Sequence, residues 1–384
     1  MKLLRPLPLA PLALRSIEAF VFRWPVKTPV RTSFGTMRDR PAVFVRATDV
    51  DGHVGWGEIW CNFPAVGAEH RARLLASVMA PLVEATEFSG PQQVFAHLCE
   101  RTAVLALQSG EPGPMAQVIA GIDLALWDLC ARRAGLPLWR FLGGESGRIG
   151  VYASGINPDR PEAMAAARRD EGYTAFKLKV GFGAERDIAN LEAMRATLGP
   201  EAALMVDANQ GWSLAQAVEM SARLERFDLG WLEEPLRADR PWHEWQALRT
   251  HTRLPLAGGE NIAGLEAFDT ALAAGVLSVM QPDAAKWGGI SGCWPVIERT
   301  LAAGVRFCPH YLGAGIGLLA SGHLLAAAGG GGWLEVDANE NPLRSTLCGA
   351  IGQVADGQVD LGEAPGIGIA PEPAALRAAY PQHS

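Results

Sequence analysis

Ionisable residues recur at nearly even steps through the second half of this 384-residue chain, each at the end of a short apolar, β-rich run. The series is Lys179 in AFKLKVG, Asp207 in ALMVDANQ, Glu233 in GWLEEP, Glu260 in LAGGEN, Asp283 in VLSVMQPD, His310 in RFCPH and Glu335 in GWLEVDANE. Subtracting neighbouring positions gives steps of 28, 26, 27, 23, 27 and 25 residues, each about one strand–helix unit. Most of the intervening segments read as helices. A charged group at the C-terminal end of each of many parallel strands predicts the mouth of a (β/α) barrel. The first strand is VYASG, from Val151, and Pro161 suits the first turn of the helix that follows. Eight strands fit between about residues 151 and 340, a compact barrel.

The first part of the chain follows another pattern. Ile17–Trp24 and Ala42–Val50 are β-rich, and Asp51-Gly52 signals a hairpin into Val54–Ile59. Thr32–Arg40 reads as a polar loop between the first two strands. Helical patterns run from about 67 to 134. The clearest is Met115–Ala134, with Ile119, Ile122, Leu126 and Leu129 on one face and Gly135 as a stop. Strands followed by helices predict an α+β domain. We divide the chain into residues 1–140 as that domain, completed by 355–384, and 141–354 as the barrel.

A net charge of −7 argues against a nucleic-acid groove or an anionic membrane surface. The six cysteines are scattered without a CxxC pair, which predicts reduced thiols and a cytoplasmic protein. Prolines interrupt the apolar N-terminal stretch MKLLRPLPLAPLALRS and no A-x-A site follows, against a cleaved leader. No uninterrupted apolar run reaches the roughly 20 residues that span a membrane.

The charged series can be read as chemistry. Taken singly, Asp207, Glu233 and Glu260 are ordinary surface carboxylates. From three consecutive strand ends they converge, and converging anions need a cation. Hard oxygen donors favour Mg²⁺. Lys177 and Lys179, two apart on a strand, point to the same face, and two buried amines need facing charge. Asp283 beside His310 would fix the imidazole tautomer. Glu335 could donate a hydrogen bond if nearby charge raised its pKa. This set suits removal of the proton α to a carboxylate. The glycines of Gly313–Gly317 read as a close approach of loop and helix rather than a phosphate cradle.

On these residues the chain resembles the mandelate racemase subgroup of the enolase superfamily. Lysine or histidine bases working with Mg²⁺ are the known pattern of that superfamily's sites. The matching segments are Lys177-Leu-Lys179, VDANQ from Val206, Glu233-Glu234-Pro235, Gly259-Glu260-Asn261, PDAAKWGG from Pro282, and Pro309-His310. GIDLALWDLCARRAGLPLWRFLGG, residues 121–144, resembles the helix that leads into the barrel. The resemblance implies a modified TIM barrel, (β/α)7β, with an N-terminal α+β capping domain, in a homo-oligomer, dimer or octamer. It implies Mg²⁺ on Asp207, Glu233 and Glu260. Lys179 would be one acid/base and His310 with Asp283 the other. Lys177 and Asn209 would contact the substrate, and Glu335 would stabilise the enolate. Specificity would lie in two capping loops, near Lys27–Arg40 and Ile59–Gly67. The first carries Arg31, Ser33, Thr36, Arg38 and Arg40, and the second Trp60, Asn62 and Phe63. Among these, Arg38 and Trp60 are the expected substrate contacts. Arginines and hydroxyls there suit a polar substrate, and dehydration of an acid sugar to a 2-keto-3-deoxy acid is the activity expected. A racemase or epimerase would use the same residues. A lactonising or dipeptide-epimerase role would need Lys286 as second base. A non-catalytic ligand-binding barrel is the alternative of another class.

Overall fold

The computed structural model describes residues 11–31, 35–329 and 331–379. The leader-like first ten residues and Ser33 lie outside them. Strands β1 (Leu12–Arg31), β2 (Thr36–Asp49), β3 (Val54–Ile59) and β4 (Glu87–Phe88) form a sheet in the order β3-β2-β1-β4. β1 and β2 are antiparallel, and after an irregularity between Pro25 and Val30 their pairing resumes as far as Arg31 opposite Thr36. Of the segment expected as a polar loop, residues 32–34 lie outside the described residues and Thr36–Arg40 is strand. Its side chains alternate: Met37 is buried, Arg38 exposed, Arg40 buried. That alternation, and not loop flexibility, decides where the arginines point.

β2 is covered on both faces, so Ala42–Val45 reads as a continuous apolar run. Val43 and Val45 pack with the helices of the capping domain. Ala42 and Phe44 join the large core shared with the barrel. The helix Pro112–Arg133 lies against β3 at close range. A side chain on Gly57 would stand 2.1 Å from the Gly121 carbonyl, so only glycine permits that contact. This helix is long and apolar enough to cross a membrane, but it is buried inside the protein.

The barrel strands are β5 (Arg148–Ile156), β6 (Ala175–Lys179), β7 (Ala203–Asp207), β8 (Leu232–Glu233), β9 (Leu256–Gly258), β10 (Leu277–Met280), β11 (Arg306–Phe307) and β12 (Trp333–Asp337). All are parallel, in the ladder order β11-β10-β9-β8-β7-β6-β5-β12. Between β11 and β12 the Trp333 N–H donates to Cys308 Sγ at 3.4 Å. A full helix follows each of the first seven strands, from Pro161–Asp170 to Gly315–Ala328. After β12 there is only the single turn Pro342–Ser345. The architecture is (β/α)7β. Tyr152, Ala175, Met205, Trp231, Ala257, Val279 and Cys308 fill the interior below the mouth. All six cysteines are free. The C-terminal strand β13 (Gln358–Asp360) pairs antiparallel with β5. The chain then returns to the capping helix, where Ile367 N–H donates to Asp128 Oδ1 at 2.7 Å.

Two further buried carboxylates join the domains. Asp123 accepts from Ile290 N (2.7 Å) and Ser291 N (2.9 Å), at the start of barrel helix Gly289–Ala302. Glu58 accepts from Ala314 N (2.6 Å) and Gly317 N (2.9 Å), at the start of helix Gly315–Ala328. Unpaired N–H groups at helix starts suit carboxylates.

Candidate active site

β6 alternates as a strand must. Its Lys177 and Lys179 face the barrel interior, and both are buried. Register carries the charge around the mouth. Lys179 is opposite Asp207, and Asp207 is opposite Glu233. β8 ends at once because Pro235 cannot extend it and Glu234 takes a positive φ of 38°. Glu260 stands two residues beyond β9, Asp283 three beyond β10 and His310 three beyond β11.

Lys177 lies deepest. Its Nζ is 2.6 Å from Glu233 Oε1 and 2.8 Å from Glu335 Oε1. Burial opposes its charge, but those two carboxylates hold its pKa well above the usual amine range. Lys179 has no such close pair. Burial depresses its amine, and Asp207 and Asp337 only partly oppose the shift. His310 Nδ1 lies 2.7 Å from Asp283 Oδ2, whose other oxygen accepts from Ala285 N and Lys286 N. His310 Nε2 is 2.5 Å from Glu260 Oε2. Burial disfavours the imidazolium, yet Glu260, Glu335 and Asp283 raise the histidine well above its ordinary pKa.

Glu335 differs from expectation. Burial raises its pKa, but Lys177 and His310 outweigh that, and the net shift is downward. It also accepts from Ser154 Oγ and from Tyr311 N at 3.1 Å. Its neighbours are cations and donors, so it stands as a carboxylate acceptor and not as a proton donor.

A cavity of about 240 Å³ opens over these groups. Lys179, Asp207, Asn209, Glu260, His310 and Glu335 line it from the barrel, and Trp60, Asn62 and Phe63 cover it from the capping domain. Lys177, Glu233 and Asp283 support this lining from behind or below. Arg38 lies on the exposed face of β2, away from the cavity lining. Arg40 is buried in an ion pair with Asp337 at 2.5 Å, and Arg31 pairs at the surface with Asp159. The described arginines of the expected specificity loop, Arg31, Arg38 and Arg40, thus belong to the sheet and its junction. A larger hollow of about 610 Å³ lies at the opposite end of the barrel, beside Gly150 and Trp333 at the strand starts. None of the paired acid/base groups faces it.

The residues present fit a hard divalent cation. Asp207 and Glu233 are buried oxygen donors and Glu260 is a half-buried one, all from adjacent strand ends. Burial pushes Glu233 up to about 7, with Asp207 and Glu335 adding to the shift against Lys177. Burial also raises Asp207, and Glu260 adds to it. Such anions gain most from a cation among them. At present each leans on another group: Glu233 on Lys177, Asp207 on the Asn209 amide at 2.7 Å, Glu260 on His310. Among the described residues, the ionisable trio whose ligand atoms lie within 4.8 Å of one another is instead Asp49, Asp51 and His53. It sits at the β2–β3 turn, where Asp49 Oδ1 accepts from the Asp51 and His53 N–H groups.

Glu234 and Asn261, for which no role was expected, join the site beside Lys286. Asn261 Nδ2 donates to Glu234 Oε1 and Oε2 at 2.9 and 3.1 Å and to Glu260 Oε1 at 2.9 Å. Asn261 Oδ1 in turn accepts from Lys286 Nζ at 2.7 Å, and that amine lies 5.0 Å over the Trp60 ring. The doubled acid of Glu233-Glu234 and the Glu260-Asn261 pair were visible signals, although their partner was not.

A capped (β/α)7β barrel with three carboxylates, two lysines and a His–Asp pair at its mouth marks the enolase-type class of enzymes. Residues 160–375 match the enolase C-terminal domain-like family, and residues 16–143 the mandelate racemase/muconate lactonizing enzyme N-terminal domain. The chain belongs to the mandelate racemase subgroup of the enolase superfamily. The crystal structure of a mandelate racemase/muconate lactonizing enzyme from Bordetella bronchiseptica RB50 is similar, with a TM-score of 0.92 and 60% identity, covering 96% of this chain and 100% of that one. D-Galactarolactone cycloisomerase of Agrobacterium fabrum is 30% identical over 89% of this chain and 92% of its own length. A racemase from Streptomyces coelicolor A3(2) with bound magnesium superposes with a TM-score of 0.83 at 26% identity, covering 96% and 99% of the two chains. Other relatives are acid-sugar dehydratases and racemases or epimerases.

Proposed function

We propose that this enzyme abstracts the proton α to the carboxylate of an acid sugar, an aldonate or aldarate, and expels the neighbouring hydroxyl to give a 2-keto-3-deoxy acid. One observation carries the reading: Lys179 and the Asp283-braced His310 line the same small cavity from separate walls. Asp207, Glu233 and Glu260 would hold Mg²⁺, which when bound supplies positive charge to the substrate carboxylate and to the enolate. Lys179 Nζ takes the C2 proton, and the C–H electron pair moves into the carboxylate. Lys177 sits below as a fixed cation. As the pair returns, the C3–O bond breaks and His310 Nε2 gives its proton to the leaving hydroxyl, which departs as water. Asp283 stabilises the imidazolium before that transfer. The resulting enol tautomerises to the ketone. Trp60, Asn62 and Phe63 close the cavity against water.

Proton NMR in D₂O with Mg²⁺, against aldonates, aldarates and their lactones, tests this. Loss of the C3 hydroxyl with a 2-keto-3-deoxy product is expected. Exchange at C2 with the hydroxyl retained would replace dehydration with racemisation or epimerisation. The likeness to a galactarolactone cycloisomerase favours a second reading. There the leaving group is a lactone ring oxygen, and consumption of the lactone alone would select it.

A further inference from the structure

The capping domain does more at this site than cover it. Glu58 is the penultimate residue of β3, and the chain runs on through Trp60 to Asn62. Within five residues this segment touches the supports of both members of the His310–Asp283 pair. Glu58 Oε1 and Oε2 accept from Ala314 N and Gly317 N at 2.6 and 2.9 Å. Asn62 Nδ2 donates to Leu312 O at 2.5 Å. Trp60 N donates to Ala285 O at 3.4 Å, and Ala285 N in turn donates to Asp283 Oδ1 at 2.8 Å.

The glycines of Gly313–Gly317 are explained by this grip. A side chain on Gly313 would stand 2.3 Å from the Tyr311 hydroxyl and 2.8 Å from Glu58 Oε1. One on Gly317 would stand 2.3 Å from the same hydroxyl. Tyr311, next to His310, lies folded into the glycine segment beside the Glu58 carboxylate. Its N–H holds Glu335 Oε2 at 3.1 Å. The loop that carries the histidine is therefore fixed at its far end by an acid from the other domain.

We propose that Glu58 is a positioning residue for His310: it anchors Tyr311–Gly317 from the capping domain and so sets the His310–Asp283 geometry. Glu58 is 2% exposed and does not line the substrate cavity. Its effect reaches the reaction only through the segment it holds. The role of His310 as acid/base rests on the function proposed above, whereas the positioning itself can be read without substrate.

The test uses the full-length protein, as wild type, Glu58→Gln, Glu58→Asp and a His310→Asn reference. The first reading is the downfield imidazole N–H proton of the His310–Asp283 hydrogen bond, assigned by its loss in His310→Asn. We expect Glu58→Gln to shift or broaden this signal while circular dichroism stays native, and Glu58→Asp to restore part of it. The second reading is turnover of a carboxylate substrate. Misplacement by about 1 Å costs on the order of 10²-fold, so kcat should fall about 10- to 100-fold with KM changed less than threefold. Exchange of the C2 proton by Lys179 should persist. An unchanged signal in folded Glu58→Gln, with kcat within twofold of wild type, overturns the proposal. If Glu58→Gln does not fold, Glu58→Asp, which keeps the negative charge at the helix start, carries both readings with the same criteria. If no carboxylate turns over in wild type, the functional reading fails, and the imidazole signal alone still decides the positioning.

Discussion

The barrel mouth and the domain junction both bury carboxylates, but they satisfy them differently. At the mouth, charge meets charge: Lys177 lies between Glu233 and Glu335, and His310 between Asp283 and Glu260. At the junction, Asp123 and Glu58 face backbone N–H groups at two helix starts, and Asp128 accepts from Trp56 N and Ile367 N as well as Arg132. Backbone dipoles are fixed and hand over no proton. Lysine and histidine can. The junction therefore holds the domains in register, and the mouth holds groups that can exchange a proton with a bound substrate. Substitutions in the second should appear mainly in turnover, and those in the first in stability, except at Glu58, whose hold on Tyr311–Gly317 carries its effect into the mouth.

The widest separation is expected at Lys179. Its amine is buried and depressed, with no hydrogen-bonded carboxylate partner among the described residues. Lys179→Ala should lower kcat by about 10³-fold, within the range of a lost general base, while the melting temperature holds or rises. Turnover that survives in the folded variant would remove Lys179 from the chemistry. Lys177 breaks the comparison from within the mouth. Lys177→Met leaves Glu233 and Glu335 buried without their cation, and stability should drop by about 3–5 kcal/mol. A denaturant melt equal to wild type would show that those carboxylates find other partners.

At the junction the sharpest reading is pH. Burial pushes Asp123 up from 3.8 to about 7 against the Ser291 and Ile290 hydrogen bonds. The folded state thus binds a proton that the unfolded state releases between those values. The stabilisation is complete below about pH 4 and is lost as pH rises through 7. At about 1.4 kcal/mol per unit, the contribution is on the order of 4 kcal/mol. Asp123→Asn should flatten that part of the stability curve between pH 4 and 8. A slope equal to wild type would assign the dependence to other groups, Glu58 among them, which burial pushes up to about 6.

The two regions also differ in how far they could be read from sequence. The mouth residues end strands, and the strand–helix period places them without knowledge of packing. Lys179, Asp207, Glu260, His310 and Glu335 were legible in that way, and they do share one cavity. The junction was not. Glu58 and Ala314 are 256 residues apart, and Asp123 and Ile290 are 167 apart. Nothing local marks an acid destined for a distant helix start. Arg38 and Arg40 failed for a nearer reason. Their polar stretch extends a hairpin, so one arginine faces solvent and the other pairs with Asp337. The pKa direction of Glu335 required knowing that Lys177 reaches it, which alternation along β6 alone does not show.

Lys286 stands between the regions and should give the smallest effect. It lines the cavity, yet its amine is committed to Asn261 Oδ1 at 2.7 Å and rests over the capping-domain Trp60 ring. Glu260 is 3.4 Å away. By position it could serve as a second base, as a lactonising enzyme would need. By contacts it braces Asn261 and the capping segment, as the junction acids brace theirs. Methionine keeps most of the length and the contact with Trp60 but carries no proton. If Asp283 and His310 form the second acid/base, Lys286→Met should leave kcat within about threefold and raise KM modestly, since a general acid or base is worth at least about 10²-fold. Abolished turnover in a folded Lys286→Met protein would move the second base from His310 to Lys286, and the mouth would then work with a lysine on each side of its substrate.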